Sequence, residues 1–401
     1  MKLKSNEPFW LIKNGLIHSY PSLRNNIETD VLIVGGGITG SLIAHQCIAD
    51  GYSTVLIDKR EIANGSTSAS TSMLQYELDI PLYKLMDMIG NKPAISNYIA
   101  CANSIDKLKK IVQQIKSTCG FRKKHSLYFA AAKKDVDWLK KEFNARKDCG
   151  LKVKWLESKD IACKYLLQHT YGGILSDQGA SVDVFQLTHD ILAFNQKKGL
   201  QVFDKTILKN IFHKKNNVVA ITEFDNTITA KKIIYCTGYE STEMIKDDFV
   251  KLHSTYALVG EQFEGDQSHL NNTIFWNTSD PYHYMRTTDD NRLLIGGEDE
   301  DFANAEKRDA LLKQKSEKLK KYVKKILPDY DLKIDFSWSG TFGATKDGLP
   351  YIGMHADFQN AYFVLGFGGN GITFSVIGMN IISSMLKNKK HPLSEYYKFS
   401  R

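Results

Sequence analysis

Residues 30–60 read DVLIVGGGITGSLIAHQCIADGYSTVLIDKR, and their pattern decides the fold. The apolar run Val31-Leu32-Ile33-Val34 enters three glycines, then a helical pattern that closes at Gly51. A second apolar run, Val55-Leu56-Ile57, ends in Asp58. Strand, tight turn, helix and strand, with Gly35, Gly37 and Gly40 in the G-x-G-x-x-G register, form a dinucleotide-binding fingerprint. Gly35 makes the turn, Gly37 lets backbone amides reach a pyrophosphate, and Gly40 lets helix pack closely on strand. The helix N-terminus offers partial positive charge to the phosphates. Asp58, 23 residues beyond Gly35, stands where a carboxylate accepts hydrogen bonds from ribose hydroxyls. An ordinary βαβ turn would need these glycines for geometry alone. With both strands, the helix and the terminal acid in place, a nucleotide cofactor is the stronger reading.

A chain of 401 residues suggests two domains. No apolar run approaches the roughly 20 residues that span a bilayer, and the N-terminus lacks a signal-peptide pattern. A cytoplasmic protein is expected. The six cysteines are scattered, without C-x-x-C or Cys/His clusters, which argues against zinc, iron–sulfur clusters and a disulfide scaffold. The net charge of +8 is spread along the chain. Its densest basic run, from Lys307, places Leu311, Leu312, Leu319, Tyr322, Val323 and Ile326 on one helical face. Its lysines read as a solvated face, so no nucleic-acid partner is expected.

After Asp58 comes the small-residue loop 64–71, then helical patterns to about residue 117. Strands are expected at 125–131, 153–156, 201–202, 218–223, 227–229, 232–236, 282–286, 292–296 and 361–365, and helices at 136–149 and 184–198. The turn Gly366-Phe367-Gly368-Gly369-Asn370-Gly371 opens a final helix. Glycine turns at both ends of the chain, and a third glycine-bearing strand end at 236–238, predict an α/β (α+β) protein. Its expected parts are an N-terminal arm (1–26), a discontinuous Rossmann-like nucleotide domain (27–105, 182–242 and 336–401) and a second, sheet-based substrate domain (106–181 and 243–335).

The segments DVLIVGGGITGSLIA, GSTSAST, IIYCTGY, YHYMRTTDDNRLLIGGED, WSGTFGATKDGLPYIG and GFGGNGIT, in this order, resemble the D-amino-acid oxidase superfamily of FAD-dependent oxidoreductases. The nearest likeness is to γ-glutamylputrescine, glycine and sarcosine oxidases. The resemblance implies FAD cradled by Gly35, Gly37, Ile38, Thr39 and Gly40, with Asp58 on the ribose and Lys59 and Arg60 near the adenine. It also implies cofactor contacts from Ser66, Thr67, Ser70, Thr71, Leu208, Thr237, Gly238 and Gly343. Gly368, Gly369, Asn370, Gly371, Ile372 and Thr373 would form the turn beneath the flavin. Some relatives attach flavin to a cysteine where this chain has Gly340, so non-covalent FAD is expected. Others append a Rieske domain, which is not expected here.

The implied reaction is oxidation of a carbon–nitrogen bond in a small amine or amino acid, with hydride passing to the flavin and water hydrolysing the imine. Orientation and preorganised electrostatics would dominate. Arg286 is the candidate carboxylate clamp, because a guanidinium grips a carboxylate through two parallel hydrogen bonds. The alternative is a strand-end arginine paired with Asp289 or Asp290. His283 and Tyr284 fall on opposite faces of one strand, so one should face the cavity, His283 as a proton acceptor or merely as a packed side chain. Tyr256 and Trp276 either line an amine pocket or pack the core, and Trp338 reads as structural. In sarcosine-type relatives a lysine above the flavin assists reaction with oxygen. Its place here is Leu294, so the electron acceptor is oxygen or, more suitably, a quinone. An NAD-dependent dehydrogenase and a flavin module acting on nucleic acid are the alternative functions.

Overall fold

The computed structural model describes residues 1–5, 7–365 and 368–401. At its centre the strand Ile27–Val34 is flanked by Thr54–Ile57 and Thr227–Tyr235, all parallel. Gln201–Phe203 extends the sheet on one side and Ala361–Leu365 on the other, both parallel to their neighbours. Tyr351–Gly353 closes one edge antiparallel, and the hairpin Leu208–His213/Val218–Thr222 pairs with the beginning of Thr227–Tyr235. Strands covered on both faces need apolar side chains throughout, which is why Val31, Leu32 and Ile33 are all fully enclosed. Helices Ile38–Ala49, Val184–Gln196 and Gly371–Leu386 share one core through Leu42, Leu187 and Phe374. Their packing sets the two glycine-led helix N-termini side by side, tied by a 2.8 Å hydrogen bond between the Thr39 and Ser375 hydroxyls.

The second sheet runs Ile334–Ala344, Lys251–Gly260, Leu293–Glu300, Tyr284–Thr287, Thr273–Asn277, Arg122–Phe129, Gly173–Ser181 and Met73–Gln75, with Val153–Leu156 also paired to Gly173–Ser181. It therefore recruits Met73–Gln75 and most of Ile334–Ala344 from segments expected in the nucleotide domain. The helix Asn91–Ile115 also runs unbroken across the expected boundary at 105. The lysine-rich segment forms helices Ala305–Ala310 and Leu312–Ile326, whose Leu319, Val323 and Ile326 are buried against this sheet. Lys315 departs from the solvated-face reading: it is buried and bonds Glu300 at 2.6 Å.

One bulge in this sheet shapes the site. Opposite Ser254–Tyr256, the strand Leu293–Glu300 carries an extra residue, with Gly297 at φ +136° and Glu298 at φ +59°. A bulge re-aims the side chains that follow it. Glu298 consequently turns toward His283 and Lys315, and Asp299 toward the nucleotide domain.

Candidate functional site

A cavity of about 870 Å³ lies between the two sheets. Its nucleotide end is built as the fingerprint requires. Gly35 adopts φ +110°, and a Cβ there would overlap the Cys236 carbonyl. A Cβ on Gly40 would overlap the carbonyl oxygen of Gly35, so Gly40 serves helix–strand packing and does not itself line the cavity. Gly37, Ile38 and Thr39 do line it. A Cβ on Gly37 would come 2.8 Å from the Thr67 hydroxyl, which accepts a hydrogen bond from the Ile38 N–H at 3.0 Å.

Asp58 holds the turn as well as facing the cavity. Its carboxylate accepts from the Gly36 N–H at 2.7 Å and the Arg60 N–H at 2.8 Å, and burial raises its pKa. Lys59, Arg60, Ser66, Thr67, Ser70, Thr71, Leu208, Thr237 and Gly238 all line the cavity. Glu240, which the sequence did not single out, bonds both Lys59, at 2.9 Å, and Arg60.

The C-terminal residues Gly368, Gly369, Asn370, Gly371, Ile372 and Thr373 line the opposite wall, whereas Gly366 and Phe367 lie outside the described residues. The Gly369 N–H donates to Asp79 at 3.0 Å, and the Asn370 amide donates to the Glu77 carbonyl at 2.8 Å. Gly343 is displaced from the expected set: it is absent from the cavity lining, and its missing side chain makes room for Val250 and the Tyr239 ring.

Beyond this wall the cavity widens into an aromatic chamber. Trp276 stacks on Tyr128 with centroids 3.5 Å apart, and Trp138 meets Tyr128 edge-on at 6.1 Å. Tyr284 faces inward over Gly296, where any side chain would collide with its ring. Tyr282 and Trp338 also line the chamber and Trp276 faces it, whereas Tyr256 packs on the opposite face of its strand, its ring 5.5 Å from the Lys315 ammonium. Asp79 and Asp299 are among the acids of its lining. Asp79 is open to the cavity yet deep within the molecule, and burial raises its pKa.

Two expected catalytic residues also lie elsewhere. Arg286 is buried outside the cavity, donating to the carbonyls of Thr71 at 2.9 Å, Val182 at 3.2 Å and Thr287 at 3.2 Å. Its guanidinium also sits 5.4 Å from the Trp10 ring centre. Burial lowers its pKa to about 10, which leaves it a cation, but its donors are committed to backbone oxygens and no clamp is available. His283 points to the far face, stacked 3.9 Å from Tyr322 and 3.2 Å from Glu298. Burial depresses its pKa. Leu294 is likewise core, packed away from the cavity.

Asp299 gives the chamber a measurable signature. Burial lifts its pKa to about 7, with Asp79 and Glu298 pushing it up and the Thr255 hydroxyl and Lys315 opposing. Tyr282 and Tyr284 face it too. A folded-state pKa above the unfolded value means that folding favours the protonated acid. The stability this provides is full below about pH 4 and lost as pH rises to about 7. Asp299→Asn should therefore melt above the wild type. The gap should widen from pH 5 to pH 8 by about 2–3 kcal/mol, read from melts at each pH.

The site is chemically suited to a flavin dinucleotide. A side chain at Gly37 or Gly368 would crowd Thr67 or Asp79, and two helix N-termini carry amides without intrahelical partners. Among the described residues, buried Thr237 Oγ1, Trp276 Nε1 and Asp299 Oδ1 of the lining have no hydrogen-bond partner. A nucleotide cradle that opens into an aromatic chamber suits a dinucleotide-dependent oxidoreductase. The chain belongs to the DAO family, FAD dependent oxidoreductase, whose sequence profile matches residues 30–383. It is 22% identical to a protein of Bacillus subtilis named as a Rieske 2Fe-2S iron–sulfur protein, over 98% of this chain and 75% of that one. It is also 22% identical to γ-glutamylputrescine oxidoreductase of Escherichia coli, over 92% and 86% of the two chains. Glycine oxidase from Geobacillus kaustophilus superposes with a TM-score of 0.76 at 18% identity, covering 91% of this chain and 96% of that one. Among the described residues no helix is long and apolar enough to cross a membrane.

Proposed function

We propose that this protein oxidises the carbon–nitrogen bond of an amine or amino acid, using non-covalently held FAD. The carrying observation is the continuity of the cavity, from the Gly37 turn through the Gly368–Thr373 wall to the aromatic chamber. When bound, FAD supplies the acceptor for the hydride leaving the carbon beside nitrogen. Gly37, Ile38 and Thr39 hold the pyrophosphate at a helix N-terminus, and Asp58 holds the ribose. Thr237, Leu208 and the Ser66–Thr71 loop wall the nucleotide, and the Gly371 helix N-terminus favours negative charge above it. Tyr284, Trp276 and Tyr128 exclude water and orient the amine. Cys236, the cysteine lining the cavity among the described residues, is buried with its thiol pKa pushed up, which supports a cofactor that is not covalently attached.

The six free cysteines support residence in the cytoplasm, where the substrate is a small molecule. Nucleic acid is not the proposed partner, because the basic helix buries one face and its lysine Lys315. A quinone suits the electron acceptor better than oxygen. Among the described residues the cavity-lining cations are Lys59, Arg60 and Lys84, the first two bonded to Glu240 and Lys84 exposed. A buried cation stabilises superoxide as it forms, by several kcal/mol in a low-dielectric site. Anaerobic mixing with amines and amino acids should bleach the flavin, and reoxidation should be slow with oxygen and fast with a quinone. A flavin that no carbon–nitrogen compound bleaches would overturn the proposal. Rapid reoxidation with stoichiometric peroxide would overturn the acceptor.

A further inference from the structure

The chamber carries acid where an amino-acid enzyme needs a cation. We infer that the substrate is an ammonium-bearing amine with no carboxylate on the carbon to be oxidised, its cation held by Asp299 within an aromatic cage. This rests on the proposed carbon–nitrogen oxidation and names its substrate class.

Four observations carry it. Asp299 faces the cavity through a bulge whose Glu298 takes the left-handed φ of +59°. Non-glycine residues adopt that conformation at a cost, and such strain persists where surrounding structure holds a side chain in place. Asp299 Oδ1 is buried with no hydrogen-bond partner among the described residues, an acceptor suited to an N–H donor. Around it stand Tyr282 and Tyr284, 5.7 Å apart, with Trp276 directly across the strand pair from Tyr284. Aromatic faces attract ammonium groups, most strongly where water is excluded.

The last observation is electrostatic. Asp79 adds a second acid close enough to raise the pKa of Asp299. Arg286, the residue expected to grip a carboxylate, is enclosed outside the cavity. Lys59 and Arg60 are engaged by Glu240 at the nucleotide end. Lys84 is exposed, 5.8 Å from the Trp138 ring. A carboxylate beside the reacting carbon would sit among two acids. An ammonium there neutralises them, and its proton passes to Asp299 Oδ1 to free the nitrogen lone pair before hydride leaves the neighbouring carbon.

The test separates binding from turnover on the flavin-loaded protein. Tetramethylammonium has no lone pair to oxidise, and benzoate offers a planar carboxylate without a cation. Titration with tetramethylammonium should perturb the flavin absorption saturably, and benzoate should leave it unchanged. Asp299→Asn, with flavin content intact, should weaken tetramethylammonium binding at least about tenfold. In the anaerobic assay 1,4-diaminobutane, benzylamine and N-methylbutylamine should bleach the flavin, and glycine, alanine and sarcosine should not. Bleaching by the amino acids alone would overturn this inference and leave the proposed function standing. If no compound bleaches the flavin, the proposed function falls and the titrations decide this inference alone. Saturable benzoate binding, or no tetramethylammonium binding, would then overturn it.

Discussion

Gly37→Val should give a folded, colourless protein. The new side chain would point at Thr67 Oγ1, with its Cβ 2.8 Å away. A hydroxyl at the end of a rotatable side chain can turn aside, so the fold survives. The space it then fills is the approach of a pyrophosphate to the amides of the helix Ile38–Ala49, and the Ile38 N–H also loses its bond to Thr67. Loss of those contacts should cost more than about 3 kcal/mol of cofactor binding, over a hundredfold in affinity. Gly40→Val provides the contrast. Its Cβ would overlap the Gly35 carbonyl, which is backbone and cannot rotate away. That variant should lose both flavin and thermal stability. Flavin absorbance per mole of protein and a thermal melt separate the two. A Gly37→Val protein with full flavin content would refute the placement of the pyrophosphate.

These glycines were legible because their demands are local: a positive φ, a close carbonyl and a helix start all fall within a few residues. The doubly covered strands Val31–Val34 and Ala361–Leu365 were legible as apolar runs for the same reason. Gly173–Ser181 was not. Its middle reads Ser176-Asp177-Gln178-Gly179, and it is a strand because Arg122–Phe129 and Val153–Leu156 pair with it from either side. The chamber was harder still. Asp79, Trp276 and Asp299 are brought together by pairings distant in sequence, so no window contains them. Simple alternation from Leu294 and Gly296 would put residue 298 on the cavity face. The bulge gives that place to Asp299 instead. Glu240, the partner of Lys59 and Arg60, follows a strand 180 residues along the chain from them and left no signal beside the fingerprint.

Arg286 shows the limit from the other direction, and its replacement should have a large effect of a different kind from a lost clamp. Alternation placed Tyr284 and Arg286 on one face, but position along the strand separates them. Tyr284 lies opposite Gly296 at the chamber, whereas Arg286 lies opposite Leu294, under Trp10 and between the chain segments at Thr71 and Val182. Its guanidinium fastens three carbonyls there, with Asp183 and Asp289 as nearby counter-charges. Arg286→Leu removes the donors to the Thr71 and Val182 carbonyls, whereas the Thr287 carbonyl keeps Lys124 and Asp183 and Asp289 keep Lys13. Two lost buried hydrogen bonds should cost about 2–4 kcal/mol. Arg286→Lys keeps the charge but lacks the planar fork, so it should recover only part of the loss. Denaturation midpoints should fall in the order wild type, Lys, Leu. At low temperature the surviving protein should keep its KM for substrate, since Arg286 lies outside the cavity and reaches its wall only through the Thr71 carbonyl. A clamp would behave oppositely, with stability intact and KM raised by orders of magnitude for a carboxylate-bearing substrate alone. That result would put Arg286 back in the site and remove the electrostatic ground for an amine without a carboxylate.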